Sequence, residues 1–514
     1  MHHSLHSPSD HSEASRLLHD IDRSKVTLLV LDVFNYALTT RLAAWQDVHL
    51  FVARTMDRIE PGLAESYVDL RLQAESITKQ SPTADGRDSY QINDLIQTMS
   101  DLFAQTGADP SLGSQAILAE LEYEQIMAAP NPSATELVSR AITDRLPVAF
   151  VADSHLPRDL VAKMLHAAGL PSRHVLVSSH EGCTNRDGEL LLRIVKRARV
   201  DPSEVGYVAP SPVGARPADT AGVRLLATDP PSSDRTKHVV DLRSTRTPMD
   251  SLALGLAAAR LSASAGRRTN LDDLTYGVAG CFMAGFGSWL GCLIDEHQPD
   301  RTIFVGSIGH RLHEVMLELR PNISPTSFSV FANESQPPSP AKVDQFVRSI
   351  KLRPGERVVV AGSSIDGSAP ASIASLIAQS ANSNPVQVAT LISSPDGSDG
   401  SDGCPSRSWT DTCGSQSPLE PLDAQQLSAL TSLILRKPTG PPPDASGAAP
   451  RQADLVCTFA REMANWMGIA PPDVSCALME PAARLLTNPT QDERLLLNDI
   501  SGDNEASRTG FELV

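Results

Sequence analysis

Aromatic residues make up only 4% of this 514-residue chain, and its seven cysteines include no C-x-x-C pair. An odd count without such a pair excludes a disulfide framework and a zinc ribbon, and suits a reducing cytoplasm. Basic charge is also scarce: 44 Lys and Arg face 61 Asp and Glu, a net charge of −17. Nucleic-acid binders need a basic face that displaces counterions from phosphates, so no nucleic-acid partner is expected. No secretory signal is readable in residues 1–20, which are polar and carry His2, His3, His6 and His11. A disordered tail over 1–22 is the expectation there, ahead of metal binding. Long apolar runs are equally rare. The one membrane-like window is Tyr276 to Ile294, nineteen residues without a charge and long enough to span a bilayer. Its five glycines and the lack of flanking basic clusters favour a buried helix, with membrane association through 276–294 as the other reading.

What is present is an alternation of short apolar runs and helical stretches, the signature of parallel α/β structure. The run Val26–Leu31 ends in Asp32, as a buried central strand would. Helical periodicity then fills about 42–144, and strand character returns at 148–152, 175–178 and 205–209. A helical insert therefore splits one α/β domain, 23–228, after its first strand. Residues 229–270 read as a linker, 271–393 as a second α/β domain and 394–450 as a low-complexity linker. A C-terminal helical region occupies 451–514. An Asp at the carboxyl end of a first buried strand lies where ligands bind such sheets, and it can act as a nucleophile.

The segment from Leu31 to Val48, beginning Leu-Asp-Val-Phe-Asn-Tyr, resembles the opening of haloacid dehalogenase-like (HAD) proteins. More narrowly, it resembles a bacterial branch that begins Phe-Asp-Val-Phe-Asp-Thr and is found among surface-polysaccharide glycosyltransferases. Phe150–Pro157 and Ser178–Gly188 resemble the branch's next two motifs. Tyr276–Gly280, Phe304–Gly309, Gly362–Gly367 and Leu486–Thr490 resemble its second half. The resemblance implies a HAD-like parallel sheet with a helical cap, followed by a second α/β domain. It also implies a possible glycosyltransferase or other polysaccharide-assembly partner.

The departures bear on chemistry. A HAD phosphohydrolase needs a nucleophilic Asp and a second Asp two residues on as general acid/base. A Ser or Thr, a Lys and further carboxylates for Mg²⁺ complete the site. Asp32 keeps the nucleophile position and would be the metal ligand if Mg²⁺ were bound. The position two residues on is Phe34, which cannot move a proton, although Phe or Tyr is tolerated there in this branch and in dehalogenases. Asn35 and Tyr36 replace the branch's Asp and Thr, Ala152 replaces the Ser, and Asn185 stands at the Lys position, with Arg186 beside it. The acidic metal turn becomes Ala209-Pro210-Ser211, leaving the more distant Asp219. Several sites departing together point to a centre not maintained for phosphoryl transfer, and no cofactor is then needed.

Asp153 remains a possible base or ligand near Asp32, or else the N-cap of the helix that starts near Pro157. His155 and His180 fall on loops at the same open edge, where solvation is the ordinary fate of a histidine. The sequence thus favours a catalytically impaired HAD homologue acting as a binding or scaffold component. The alternative is an active phosphohydrolase or dehalogenase using Asp32.

Overall fold

The computed structural model describes residues 13–80, 89–228, 247–263, 270–331, 339–362, 368–381, 386–390, 406–409, 424–436, 454–467, 476–502 and 512–513. They fall into two units, Met1–Arg235 with Ala265–Arg267, and Thr236–Ser264 with Arg268–Val514. His2, His3, His6, His11 and the turn at 363–367 lie outside the described residues.

In the first unit, β1 (Leu28–Asp32), β4 (Val148–Ala152), β5 (Val175–Val177), β6 (Val205–Pro210) and β7 (Arg224–Thr228) form one parallel sheet. Its order is β5-β4-β1-β6-β7, so the strand that carries Asp32 is central. Successive side chains of a strand alternate between faces. Leu29 and Leu31 pack with the helices α1 (Glu13–Ser24), α6 (Pro132–Thr143) and α7 (Arg158–Ala167). Leu28 and Val30 pack on the other face with α9 (Glu189–Ala198) and α10 (Ser211–Ala221). Asp32 continues the Leu28–Val30 row.

The insert after β1 is the cap. The chain leaves the sheet through a π-helical turn, Val33–Ala37, and through β2 (Leu38–Thr40). It runs through α2 (Val48–Asp57), α3 (Ala64–Gln80), α4 (Ile92–Thr106) and α5 (Ser111–Met127). It returns through β3 (Ala128–Pro130), antiparallel to β2. The expected cap of 42–144 is too long at its end. Ala134, Leu137, Val138 and Ala141 of α6 belong to the sheet's core, so the insert closes at β3.

The cap has its own apolar core, including Val52, Tyr67, Met99, Phe103 and Ile117. An ion pair is buried beside it. Arg71 donates from Nε and Nη2 to the two Glu120 oxygens at 2.7 and 2.6 Å, and both side chains are 1% exposed. Burial pushes the Glu120 carboxyl up, but the contacts of His155 and Arg71 outweigh it and hold the carboxyl at about 2.

Three other expected boundaries also change. The tail at 1–22 contains part of α1, whose Ala14, Leu17 and Ile21 share one helical face and are buried. The expected linker at 229–270 contains the helix Pro248–Ala263, with Leu252, Ala253 and Ala257 buried in the second unit. Within 394–450, Trp409 and the helix Ala424–Leu435 are built into that unit, Leu433 and Ile434 being buried. In each case a short apolar face supplies burial that the polar average of the segment hides.

The second unit holds β8 (Arg301–Val305), β9 (Ser327–Phe331), β10 (Val358–Gly362), β11 (Val386–Thr390), β12 (Ser406–Ser408) and β13 (Glu512–Leu513). The order is β12-β11-β10-β8-β9-β13, parallel except for β13. The apolar run lies in the helix Leu271–His297, whose most apolar window is 89% buried within the protein. Its glycines explain how. A Cβ at Gly280 would fall 2.7 Å from the Phe459 Cβ, and one at Gly285 2.8 Å from Trp409 and 2.9 Å from Leu478. These glycines let the C-terminal helices press against the helix backbone.

Two outcomes are expected. Truncating Arg71 to Ala strips both guanidinium bonds from the buried Glu120 carboxylate and costs about 3–5 kcal/mol in urea unfolding, whereas Glu120→Ala costs less because Arg71 keeps its contact with Glu75. Because the folded Glu120 carboxyl lies below its ordinary 4.5, its contribution is complete above that value and is lost as pH falls towards about 2. Gly285→Val overpacks the second unit and costs about 1–3 kcal/mol, read from the same transition in the full chain.

Candidate functional site

Asp32 is 3% exposed at the carboxyl end of β1. Its position there follows from the apolar run before it, and the turn Val33–Ala37 folds back over its carboxylate. The Asn35 backbone N–H and side-chain Nδ2 donate to Asp32 Oδ1 at 3.0 and 3.1 Å. From β6, the Tyr207 hydroxyl donates to Asp32 Oδ2 at 2.9 Å. Tyr207 is paired in register with Val30, one step back on the same face as Asp32, so its phenol is long enough to reach the strand end. Asn185 Nδ2 in turn donates to the Tyr207 hydroxyl at 3.0 Å, and Asn185 is itself buried.

Burial raises the Asp32 carboxyl above its ordinary value, against the hydrogen bonds from Asn35 and Tyr207; the charge of Asp153 adds to the rise. The Tyr207 phenol is likewise pushed up, by burial and then by the neighbouring Asp32 charge. It therefore stays a protonated donor at any ordinary pH.

The remaining residues read from the sequence divide by where they point. Asp153 is exposed, and its Oδ2 accepts the Asn185 backbone N–H at 3.1 Å. It does not cap α7, whose N-cap is Pro157 without a side-chain cap. Ala152 ends β4, buried and without a polar atom to offer. Phe34 packs edge-on to Trp45, with ring centroids 5.4 Å apart. Tyr36 turns into the core with Leu29 and Leu31. Pro210 ends β6 and is the N-cap of α10. Arg186 is exposed beside buried Asn185, so the charge considered for the Lys position points outward. Asp219 lies near the far end of α10, about 12 Å of helix rise from its start.

The residue that sequence reading missed is Tyr207. Its only signal was a polar-tipped aromatic in an otherwise apolar strand. Its role depends on the β1–β6 register, which joins residues 175 apart in sequence.

A Mg²⁺ ion needs anionic or carbonyl oxygens together with waters. Asp32 is instead ringed by donors from Asn35 and Tyr207, an arrangement that satisfies a carboxylate by hydrogen bonding and does not fit a divalent cation. In the second unit, Glu314, Asp454 and Cys457 come within 4.8 Å of one another. The Arg311 guanidinium already lies against both carboxylates there.

No family model matches the chain, and no curated protein does. Among solved structures, it is similar to a dehalogenase, at 14% identity over 43% of this chain and 88% of that one, with a TM-score of 0.29. A second is a defluorinating L-2-haloacid dehalogenase, at 16% identity over 39% and 80%, with a TM-score of 0.30. A third is the L-2-haloacid dehalogenase of Xanthobacter autotrophicus with chloropropionic acid covalently bound. It is 13% identical over 48% of this chain and 100% of that one, with a TM-score of 0.31. Scores this low carry no argument of their own. Strand order, the helical insert after the first strand and the Asp at that strand's end give the first unit the HAD-like fold with a helical cap.

Tyr207→Phe strips the donor from Asp32 Oδ2 and the acceptor from Asn185 Nδ2. The expected cost is about 1–3 kcal/mol in urea unfolding at pH 7. Since the lost bond favours the ionised carboxylate, the cost shrinks as pH falls and Asp32 becomes protonated.

Proposed function

We propose that this protein is a catalytically impaired HAD homologue that works by binding, as a scaffold or partner component. The observation that carries this reading is the state of the Asp32 carboxylate. A nucleophile needs a lone pair free to face its substrate. Here three of the carboxylate's four lone-pair sites are taken, two on Oδ1 and one on Oδ2, and the group is almost wholly buried, which leaves little of it to face a substrate. Ala152 and Asn185 supply neither the hydroxyl nor the cation that phosphoryl transfer would use, so no cofactor belongs to this reading. Cell-surface polysaccharide assembly beside a glycosyltransferase, in a bacterial cytoplasm, is the setting we propose. It rests on the sequence resemblance alone.

The second reading is an active hydrolase using Asp32, and the retained Asp at the end of the central strand favours it. Dehalogenation is its stronger form, because that chemistry dispenses with the metal. A panel of p-nitrophenyl phosphate, sugar phosphates and 2-chloropropionate, with and without Mg²⁺, separates the two. The wild type is expected to show no turnover above Asp32→Asn. Turnover that disappears in Asp32→Asn overturns the binding reading.

A further inference from the structure

Helix α5 spends one side on the cap and leaves the other to solvent. Leu112, Ala116 and Ile117 pack in the cap's core, and Glu120 meets Arg71. The exposed residues are Ser111, Gln115, Leu118, Glu122, Gln125 and Ile126. Their spacing places all six on one stripe along the helix, opposite the buried side.

The composition of that stripe is unusual for a face that meets only water, which is ordinarily charged. The outward side of α9 follows the ordinary pattern, with Glu189, Lys196 and Arg197 exposed. On α5 a single charge, Glu122, stands between Leu118 and Ile126, which are 56% and 41% exposed. Among the described residues, no hydrogen bond or ion pair engages Glu122. Few charges and exposed aliphatic side chains suit the centre of an interface, because every charge covered there must be desolvated. Residues four apart also form the ridges by which helices pack side by side, and Leu118, Glu122 and Ile126 make one such ridge.

Charge decides what can cover it. The insert from 41 to 127 holds 14 acidic and 6 basic residues, and α5 itself has three Glu and no Lys or Arg. A second copy docked through a two-fold axis would set this ridge, with Glu122 at its middle, against the same acidic ridge. Like charges would then meet where the contact has to be driest. A basic helix faces no such conflict.

We infer that the outward face of α5 docks an amphipathic helix of a partner protein. Its apolar residues cover Leu118 and Ile126, and its Lys or Arg meets Glu122. Such a helix is the kind of partner that the binding reading calls for, and the docking face rests on that reading. The two fail separately, since turnover is read at Asp32 and docking at α5.

The test titrates the full chain with a peptide made of two copies of Leu-Lys-Lys-Leu-Leu-Lys-Leu, and with the same peptide carrying Glu in place of Lys. Fluorescence anisotropy of the labelled peptides reads the affinity. Saturable binding of the Lys peptide is expected, with none of the Glu peptide. The double variant Leu118→Gln/Ile126→Gln changes only exposed side chains, so its fold is expected to persist, as circular dichroism would show. It should bind the Lys peptide about tenfold more weakly. Glu122→Lys should weaken binding by about the same factor. Glu65→Lys, the same charge change on the exposed side of α3, should leave the affinity as it was. No saturable binding, full affinity in the folded double variant, or equal weakening by Glu65→Lys would each overturn the site. So would a dimer in analytical ultracentrifugation that the double variant dissociates, because the face would then belong to a second copy.

Discussion

A carboxylate removed from water must be answered by something, and in the first unit that demand falls on Asp32. The apolar run that makes β1 central also buries its last residue, and the desolvation cost of an ionised group there is several kcal/mol without partners. A HAD enzyme can answer with a metal ion and a lysine. This chain answers with hydrogen bonds: the turn Val33–Ala37 brings the Asn35 donors, β6 brings Tyr207, and Asn185 steadies Tyr207 in turn. Asp153, by accepting the Asn185 backbone N–H, holds the loop that makes this possible. Residues from the turn after β1, from β6 and from the segments after β4 and β5 thus serve the solvation of one group.

The same logic makes the residues around Asp32 fit one another as a set. Once Tyr207 supplies a donor to Asp32, a nearby lysine has less to neutralise, and Asn185 becomes the better neighbour because it can donate to the phenol. The partners of Asp32 are neutral dipoles, although the chain as a whole carries −17. The acidity belongs to its surface.

Much of the fold was legible because it is written in local pattern. The continuous apolar run of β1, the helical periodicity of the insert and the later strands all reflect burial on one or both faces. What was hidden is non-local or short. The strands β2 and β3 are three residues each, Leu-Thr-Thr and Ala-Ala-Pro, with no alternation to read. Arg71 and Glu120 lie 49 residues apart, and nothing in either helix marks them as partners. Tyr207 could be found only once the strand register was known. Asp153 was offered as the cap of a helix starting near Pro157, and α7 does start there, but Pro157 itself is the N-cap. His155 lies in the loop after β4 as expected, whereas His180 falls in the short helix Ser178–Glu181.

The antiparallel pair β2–β3 has a consequence for how this chain reaches its native state. In a parallel sheet, β1 must find β4 across the whole insert, and closing so long a loop is entropically slow. The cap helices contact mainly their sequence neighbours and so can form early. When Leu38 and Pro130 pair, the two ends of the insert are held one ladder spacing apart. The loop that β1 and β4 must then close is reduced to residues 33–37 on one side of that pair and to 131–147, which hold α6, on the other. The stem of the cap works as a splint, shortening the loop that the pairing of β1 with β4 must close.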